Sequence, residues 1–390
     1  MRILSVHNRY LIRGGEDVCV ENEEELLKRH GHQVSSYCTS NAQIASLGIF
    51  RAALNTVWSR ESYLNIRQLL RLKTFDILSC HNTFPLISPA AYDAAKSEGL
   101  PVIQTLHNYR LVCPNATFFR NGKVCEECSG KFLPWPAVRH DCYRDSKAAT
   151  TVVAIMLSVH RALRTYQDKV DVYIVPSEFA KQKFIENGLP ADKLVVKPNF
   201  VYPDPDVAEG RGRYALFVGR LSHEKGLSTL LTAMGKLGKK LHLKIVGEGP
   251  LSHQLAKSIE KLSNVELLGP RSSKQVYELM GEAAFLVFPS EWYETFGRVA
   301  IEAFSKGTPV IGANIGAIPE VVEHLRTGLL FKPGDAEDLA RQMEWAIRHP
   351  ALLTEMRREA RAEFESKYTS ERNYEMLMRI YEMAAAGALS

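Results

Sequence analysis

The sequence predicts an α/β protein of two Rossmann-like domains, each built on a mainly parallel sheet. Two observations carry this reading. Short β-type runs alternate with helical stretches from end to end, which is the pattern of successive βαβ units. A polar stretch rich in Pro and Gly at 202–213, YPDPDVAEGRGR, interrupts the alternation and divides the 390 residues into two halves of Rossmann size.

In chain order, the first half offers strands at 2–7, 75–80, 101–106, 172–175 and 194–198. The second half offers strands at 215–219, 243–247, 265–269, 285–289 and 308–313. These runs are short and mostly apolar, and several end at Gly or Pro. Helical patterns from Asp335 onward close the chain. Domains are therefore expected at 1–203 and 213–366, with a linker at 204–212. A ligand crevice is expected between them, with the carboxyl ends of both sheets facing inward.

Composition narrows the function classes. With 45% hydrophobic residues the chain can build two cores. No run of 18 or more apolar residues is present, so no membrane-spanning helix is expected. The opening MRILSVHNRY reads as a strand, and seven irregularly spaced cysteines fit reduced thiols, so a cytoplasmic location is expected. The net charge of +5 lies in the first half, where residues 1–205 carry 25 Lys/Arg against 20 Asp/Glu. That excess is too small to argue for nucleic acid. It suits an anionic acceptor or an acidic membrane surface.

The richest stretch is Pro289–Glu302, PSEWYETFGRVAIE. A strand runs out into a loop bearing Glu294; a Phe296-Gly297 turn follows, and a helix then presents Glu302. Helix-start N–H groups favour an anion and the two acids favour hydroxyls, so the stretch suits a sugar joined to phosphate. After an earlier strand, Gly219, Arg220, Lys225 and Gly226 place two cations on one loop, Arg220 as a planar fork and Lys225 as a point charge. Near the amino terminus, Gly14 and Gly15 follow the first strand and open a helix. His107 ends a strand of the first half, and Gly316–Glu320 follows the strand after the helix of Glu302.

Together these segments resemble family 4 of the retaining glycosyltransferases, which has the GT-B fold. The signature is Glu-x7-Glu, matched by Glu294 and Glu302. The resemblance implies that Glu294 contacts the donor sugar and Glu302 holds the nucleotide ribose. It implies that Arg220 and Lys225 neutralise the donor diphosphate, while Phe296, Gly297 and Arg298 line the sugar-phosphate pocket. Gly14 and Gly15 would lie near the donor phosphate and acceptor, His107 beside the reacting centre, and Gly219, Gly269 and Arg271 along the donor site. By the same resemblance the last helices, 367–390, return to the first domain. The chain departs from the family by carrying bulky Trp292 and Tyr293 before the acids and Ala317 in place of a frequent glycine, which bears on which sugar fits.

The implied reaction moves a sugar from a UDP- or GDP-linked donor to a glycan or lipid-linked acceptor. Its setting would be cell-surface polysaccharide or lipopolysaccharide assembly. No catalytic metal is expected, because the two cations and helix amino ends can stabilise a departing diphosphate and no Asp-x-Asp pair stands in the cleft segments. The alternatives are a GT-B nucleotide-sugar epimerase or phosphorylase, and a non-catalytic nucleotide-sugar-binding scaffold.

Two further features stand apart. Cys113, Cys125, Cys128 and Cys142 lie in a loop-rich insert at about 110–146, where they could close a structural zinc site or remain thiols. Between Phe50 and Lys73, Trp58 and several leucines mix with Arg51, Arg60, Arg67 and Arg71. A basic amphipathic helix pair there would either pack on the sheet or rest peripherally on an anionic membrane.

Overall fold

A computed structural model describes residues 1–208, 212 and 214–387. Part of the linker expected at 204–212 therefore lies outside the described residues. The chain divides into two compact units. Unit 1 holds Met1–Phe118, Glu126–Pro198 and Asn373–Ser390; unit 2 holds Phe119–Cys125 and Asn199–Arg372.

Unit 1 runs β1 (Arg2–Arg9), α1 (Gly15–Arg29), β2 (Gln33–Ser40), α2 (Ile49–Val57), α3 (Arg60–Leu72), β3 (Ile77–Cys80), α4 (Ala90–Ser97), β4 (Val102–Thr105), α5 (Lys147–Ala162), β5 (Val172–Val175), α6 (Glu178–Glu186) and β6 (Leu194–Val196). The six strands form one parallel sheet in the order β2-β1-β3-β4-β5-β6. Helices cover both faces of such a sheet, so its central strands are buried on both sides, as β3 and β4 are throughout. Serine side chains start three of the helices: Ser59, Ser146 and Ser177 accept the N–H of Ser62, Ala149 and Ala180.

Unit 2 runs β7 (Ala215–Val218), α7 (Leu227–Leu237), β8 (Leu243–Val246), α8 (Ser252–Ile259), β9 (Val265–Gly269), α9 (Ser273–Glu282), β10 (Phe285–Phe288), α10 (Arg298–Ser305), β11 (Val310–Ala313), β12 (Gly328–Phe331), α11 (Ala336–Arg348) and α12 (Pro350–Lys367). Its sheet is also parallel, in the order β9-β8-β7-β10-β11-β12.

Within the two six-stranded sheets, β2 and β12 were not expected from the sequence, and each lies at the edge of its sheet; nor was the short antiparallel pair Phe119–Arg120 and Lys123–Val124. The residues of β2, QVSSYCTS, are mostly small and polar, and none is fully buried. An edge strand covered on one side needs no continuous apolar run.

The last helix, α13 (Ser370–Gly387), belongs to unit 1 from Asn373 onward. Its Leu377, Ile380, Tyr381 and Ala384 pack with Ile3, Leu27, Ile77 and Ile103. A buried polar contact fixes its start. Lys197 Nζ lies 3.1 Å from Glu23 Oε2 and donates to Asn373 Oδ1 at 2.9 Å, while Asn373 donates to the Pro198 carbonyl at 2.7 Å. Lys197 and Glu23 are only 5% and 6% exposed at their side chains, so neither charge has water as an alternative partner.

Removing one member of such a pair strands the other. Lys197→Met should therefore lower stability by about 3 kcal/mol, read as a lower urea midpoint, and Glu23→Gln added to it should restore most of the loss.

Candidate active site

Open parallel sheets leave a ligand crevice outside the carboxyl ends of their strands, where the strand order reverses. In unit 2 the reversal lies between β7 and β10. The loop after β7 carries Arg220 and Lys225, and the loop after β10 carries Glu294. The two loops join directly: Lys225 Nζ donates to Glu294 Oε1 at 2.6 Å. The same oxygen accepts Ser290 Oγ at 2.7 Å and Trp292 Nε1 at 2.8 Å. Lys225 also lies 5.1 Å from the Trp292 ring centroid. Glu294 is 7% exposed, and its Oε2 has no partner among the described residues. One oxygen anchors the carboxylate while the other stays open to a ligand hydroxyl.

Two glycines make this geometry sterically possible. Gly226 has φ +68°, and a Cβ there would stand 1.9 Å from the Pro289 carbonyl oxygen. Gly316 has φ +59°, and its Cβ would meet the Glu294 backbone N at 2.8 Å. A side chain at either position would push the Glu294 loop away.

Glu302, in α10, pairs with Arg298 Nε at 2.9 Å. Burial pushes its carboxyl up, and the Arg298 guanidinium offsets part of that rise. Gly297 starts α10. Phe296 is 4% exposed and meets Tyr368 edge to face at 5.9 Å, so it belongs to the core beneath the loop. Arg220 is exposed, and its side chain has no hydrogen-bond partner among the described residues. Gly219 directly follows β7 and its N–H donates to the Val246 carbonyl. Gly269 ends the edge strand β9, and Arg271 beyond it donates to the Pro270 carbonyl. The structure thus pairs Lys225 with Glu294 and Arg298 with Glu302, and leaves Arg271 apart from both pairs.

In unit 1 the strand order reverses between β1 and β3, and a pocket opens there. Glu16, His81, Asn82, Phe84, His107, Asn108 and Arg110 help line it. Gly14 precedes α1 and donates its N–H to Asp17 Oδ2 at 2.9 Å; Gly15 is the first residue of α1. Asp17 also takes His7 Nε2 at 2.9 Å, so this helix start already holds an anion of its own. His107 Nε2 lies 3.1 Å from His81 Nδ1, and His81 Nε2 lies 3.5 Å from Glu23 Oε1. Burial, and then the neighbouring His81, hold His107 well below the usual histidine range. Its imidazole is neutral at pH 7.

Glu16 is the residue that sequence reading overlooked beside the two glycines. Its Oε2 accepts Tyr10 Oη at 2.9 Å and Asn108 Nδ2 at 3.2 Å. Burial pushes its carboxyl up to about 7 against these stabilising bonds. Asn108 directly follows His107, and Arg110 stands two residues further on. Their only signal in the sequence is their place after a strand, which many non-functional residues share.

Among the described residues no group of three or more His, Cys, Asp or Glu side chains could hold a metal ion, so Cys113, Cys125, Cys128 and Cys142 do not form a site there. Cys113 is buried; the other three are half-buried.

Comparison with known proteins places this architecture. Solved structures that align over nearly the whole chain share the GT-B fold. One is Anabaena HepE in complex with UDP, with a TM-score of 0.70 at 18% identity, covering 98% of this chain and 100% of that one. Another is sucrose-phosphate synthase from Thermosynechococcus elongatus, with a TM-score of 0.75 at 16% identity, covering 99% and 100%. The family model "Glycosyltransferase Family 4" matches residues 13–205, and "Glycosyl transferases group 1" matches residues 204–363. The chain belongs to glycosyltransferase family 4. An uncharacterised glycosyltransferase of Methanocaldococcus jannaschii is 30% identical over 56% of this chain and 60% of its own length. An uncharacterised protein of the Klebsiella pneumoniae cps region is 28% identical over 62% of this chain and 58% of its own. The chain thus spans about 60% of the length of these relatives.

The state of Glu16 is open to measurement. The folded protein holds this proton to about 7, whereas an ordinary glutamate loses it near 4.5. The raised value favours the folded state below pH 4.5, and that advantage is lost as pH rises through 7. Glu16→Gln keeps the acceptor for Tyr10 and Asn108 and removes the charge. Relative to wild type it should gain stability between pH 5 and 8, by roughly 1–2 kcal/mol after discounting partial exposure. Thermal melts of both proteins across that range would show the gap widening; a constant gap would count against a raised carboxyl.

Proposed function

We propose that the chain transfers a sugar, with retention, from a nucleotide diphosphate donor to a glycan or lipid-linked acceptor. The observation that carries this is the Lys225–Glu294 contact at the reversal point of the unit 2 sheet, 2.6 Å long. It sets a cation for a diphosphate beside a carboxylate for sugar hydroxyls, as a sugar–phosphate junction requires. UDP is the favoured nucleotide, since a structural relative, HepE, has been crystallised with UDP and with UDP-glucose. A cell-surface polysaccharide setting draws on the cps-region relative and on the fold shared with the lipopolysaccharide galactosyltransferase WaaB.

In the transfer, the bond between the sugar's anomeric carbon and the diphosphate oxygen breaks, and a bond from the acceptor oxygen forms on the same face. The acceptor's proton passes to the departing phosphate. Arg220 and Lys225 stabilise the negative charge that develops on the leaving group. Glu294 Oε2 accepts donor-sugar hydroxyls. Glu302 takes the ribose, and Gly297 with Arg298 borders the sugar phosphate. Gly219, Gly269 and Arg271 complete the donor side. Gly14, Gly15 and His107 belong to the acceptor side, with His107 as a neutral imidazole.

Free UDP or GDP is measured with a donor panel, with and without added glycan acceptors. Release that depends on acceptor supports transfer; turnover indifferent to acceptor favours the epimerase or phosphorylase class, and tight binding without turnover favours a scaffold. Lys225→Ala should lower kcat about a hundredfold, and Glu302→Ala should raise the donor KM about tenfold. Unchanged kinetics in both would overturn the assignment.

The acceptor side also bears a surface for an anionic bilayer. No helix among the described residues is long and apolar enough to cross a membrane. On α2, Ile49, Phe50 and Leu54 are 85%, 90% and 71% exposed. The neighbouring α5 exposes Ile155 and Val159, Leu163 just past its end is exposed too, and the segment bonded to it exposes Phe132 and Trp135. Of the basic residues on and just after α2 and α3, Arg51 pairs with Glu61 at 3.0 Å, and Arg67 and Arg71 both pair with Glu98 at 2.6 and 2.8 Å, which leaves Arg60 and Lys73 without a carboxylate among the described residues. Exposed apolar side chains with free cations on the same helix pair suit anionic headgroups. The protein should sediment with phosphatidylglycerol vesicles and stay free of phosphatidylcholine ones. Phe50→Glu should weaken that binding at least about tenfold; equal sedimentation with both lipids would exclude the charge-led contact.

A further inference from the structure

Arg110 lines the unit 1 pocket, and its surroundings are unusual for an arginine. Its guanidinium lies 4.5 Å from the Phe84 ring centroid and 4.9 Å from that of Tyr143. The two rings meet edge to face at 5.6 Å. The Arg110 backbone N–H donates to Asn108 Oδ1 at 3.0 Å, and Nη1 donates to the Pro114 carbonyl. The side chain is therefore held against two aromatic faces by a single hydrogen bond of its own. No carboxylate pairs with it among the described residues. Four of its five N–H donors remain for another partner.

A guanidinium fixed in this way has lost its rotamer freedom before any ligand arrives. Its planar fork matches a phosphate or carboxylate with two parallel bonds, and stacking on aromatic rings keeps the fork in plane. The same pocket supplies groups for uncharged hydroxyls. Glu16 Oε1 has no partner among the described residues, because Tyr10 and Asn108 both bind Oε2. His107 and Asn82 border the same space.

We propose that this pocket is an acceptor subsite for a molecule bearing a phosphate or carboxylate, whose anion sits on Arg110 and whose hydroxyl meets Glu16. The proposal rests on the transferase reading for the word acceptor, and on the pocket alone for the ligand chemistry. It narrows the acceptor to an anionic glycan or a sugar phosphate, and makes a neutral glucan the wrong partner.

Glu16 makes the site sensitive to pH. The groups facing it are Tyr10, Asp17 and Arg110, with Arg110 the cation among them. While Glu16 holds its proton it can sit beside a bound anion without repulsion. Once it ionises, the anion on Arg110 meets a like charge. Anion affinity should therefore fall between pH 6 and 8, and Glu16→Gln should abolish that fall. Sulfate is the probe for this arm, since it keeps the same charge throughout.

Binding of glycerol phosphate and of glucuronate is measured by calorimetry on the full chain carrying Arg220→Ala and Lys225→Ala, which removes the unit 2 cations. At least one probe should bind, and Arg110→Gln should weaken it about tenfold or more. Arg110→Lys, which keeps the charge and loses the fork, should recover only part of the affinity. A preference for glycerol phosphate identifies a phosphorylated acceptor, and a preference for glucuronate an acidic sugar. Binding of neither probe, or equal binding with and without Arg110, overturns the proposal. Circular dichroism melts show whether each variant is folded, and the Lys variant supplies the answer if the Gln variant is not.

UDP binding by the otherwise wild-type chain is followed separately. Arg110→Gln should leave it unchanged; loss of UDP together with the anion probe would move Arg110 to donor recognition and overturn the acceptor assignment. Failure of the unsubstituted protein to bind any nucleotide would sink the transferase reading instead, while the Arg110 result would still decide the anion site.

Discussion

Glu294 is the constraint around which unit 2 is arranged. A carboxylate only 7% exposed pays heavily in lost hydration unless donors replace the water. Three do so at one oxygen: Lys225, Ser290 and Trp292. Satisfying that oxygen draws the loop after β7 against the loop after β10. Two backbone approaches follow from it, and each tolerates only glycine: Gly226 under the Pro289 carbonyl and Gly316 under the Glu294 amide. The ion pair, the two loops and the two glycines are one mechanical unit.

Unit 1 solves a different problem at the corresponding place. Its buried chain runs from Lys197 to Glu23 to His81 to His107. The Glu23 carboxylate favours a proton on His81 Nε2, which leaves His81 Nδ1 as an acceptor. His107 Nε2 must then carry the hydrogen shared between the rings. Burial holds both imidazoles neutral. His107 is thus presented to the pocket in one tautomer and without charge, a poor general acid at neutral pH and a stable polar wall.

The sequence made the sheet centres legible because strands buried on both faces must be apolar throughout, as in Phe285–Phe288. Two of the four edge strands were read, β6 and β9; β2 escaped because its small polar residues carry no apolar run, and β12 although its run is apolar. Among the candidate residues, Glu294 and Lys225 were named from loops after strands and Glu302 from the helix that follows; the structure joins Lys225 to Glu294 and pairs Glu302 with Arg298. Trp292 was legible as unusual but not in its contact: its indole N–H donates to Glu294 and helps hold that carboxylate in place. Arg110 was not legible, since its meaning comes from Phe84 and Tyr143, which folding alone brings to it. The cysteine spacing pointed the other way, to a cluster that the described residues do not form.

The two units also differ in how they treat charge, and the difference has a chemical logic. On the proposed transfer a leaving diphosphate gains charge, and unit 2 offers two cations for it, Arg220 exposed and Lys225 paired with Glu294. An acceptor hydroxyl loses its proton during transfer, and a charged carboxylate or imidazolium beside it would perturb that proton in the resting complex. Unit 1 instead lines its pocket with neutral histidine and with Glu16, whose carboxyl keeps its proton up to about 7. The one full charge there, Arg110, is clamped by aromatic rings and Pro114, with donors left over for a ligand. On the proposed acceptor reading, such a pocket selects its ligand by a fixed anion contact and leaves the reacting hydroxyl among neutral groups.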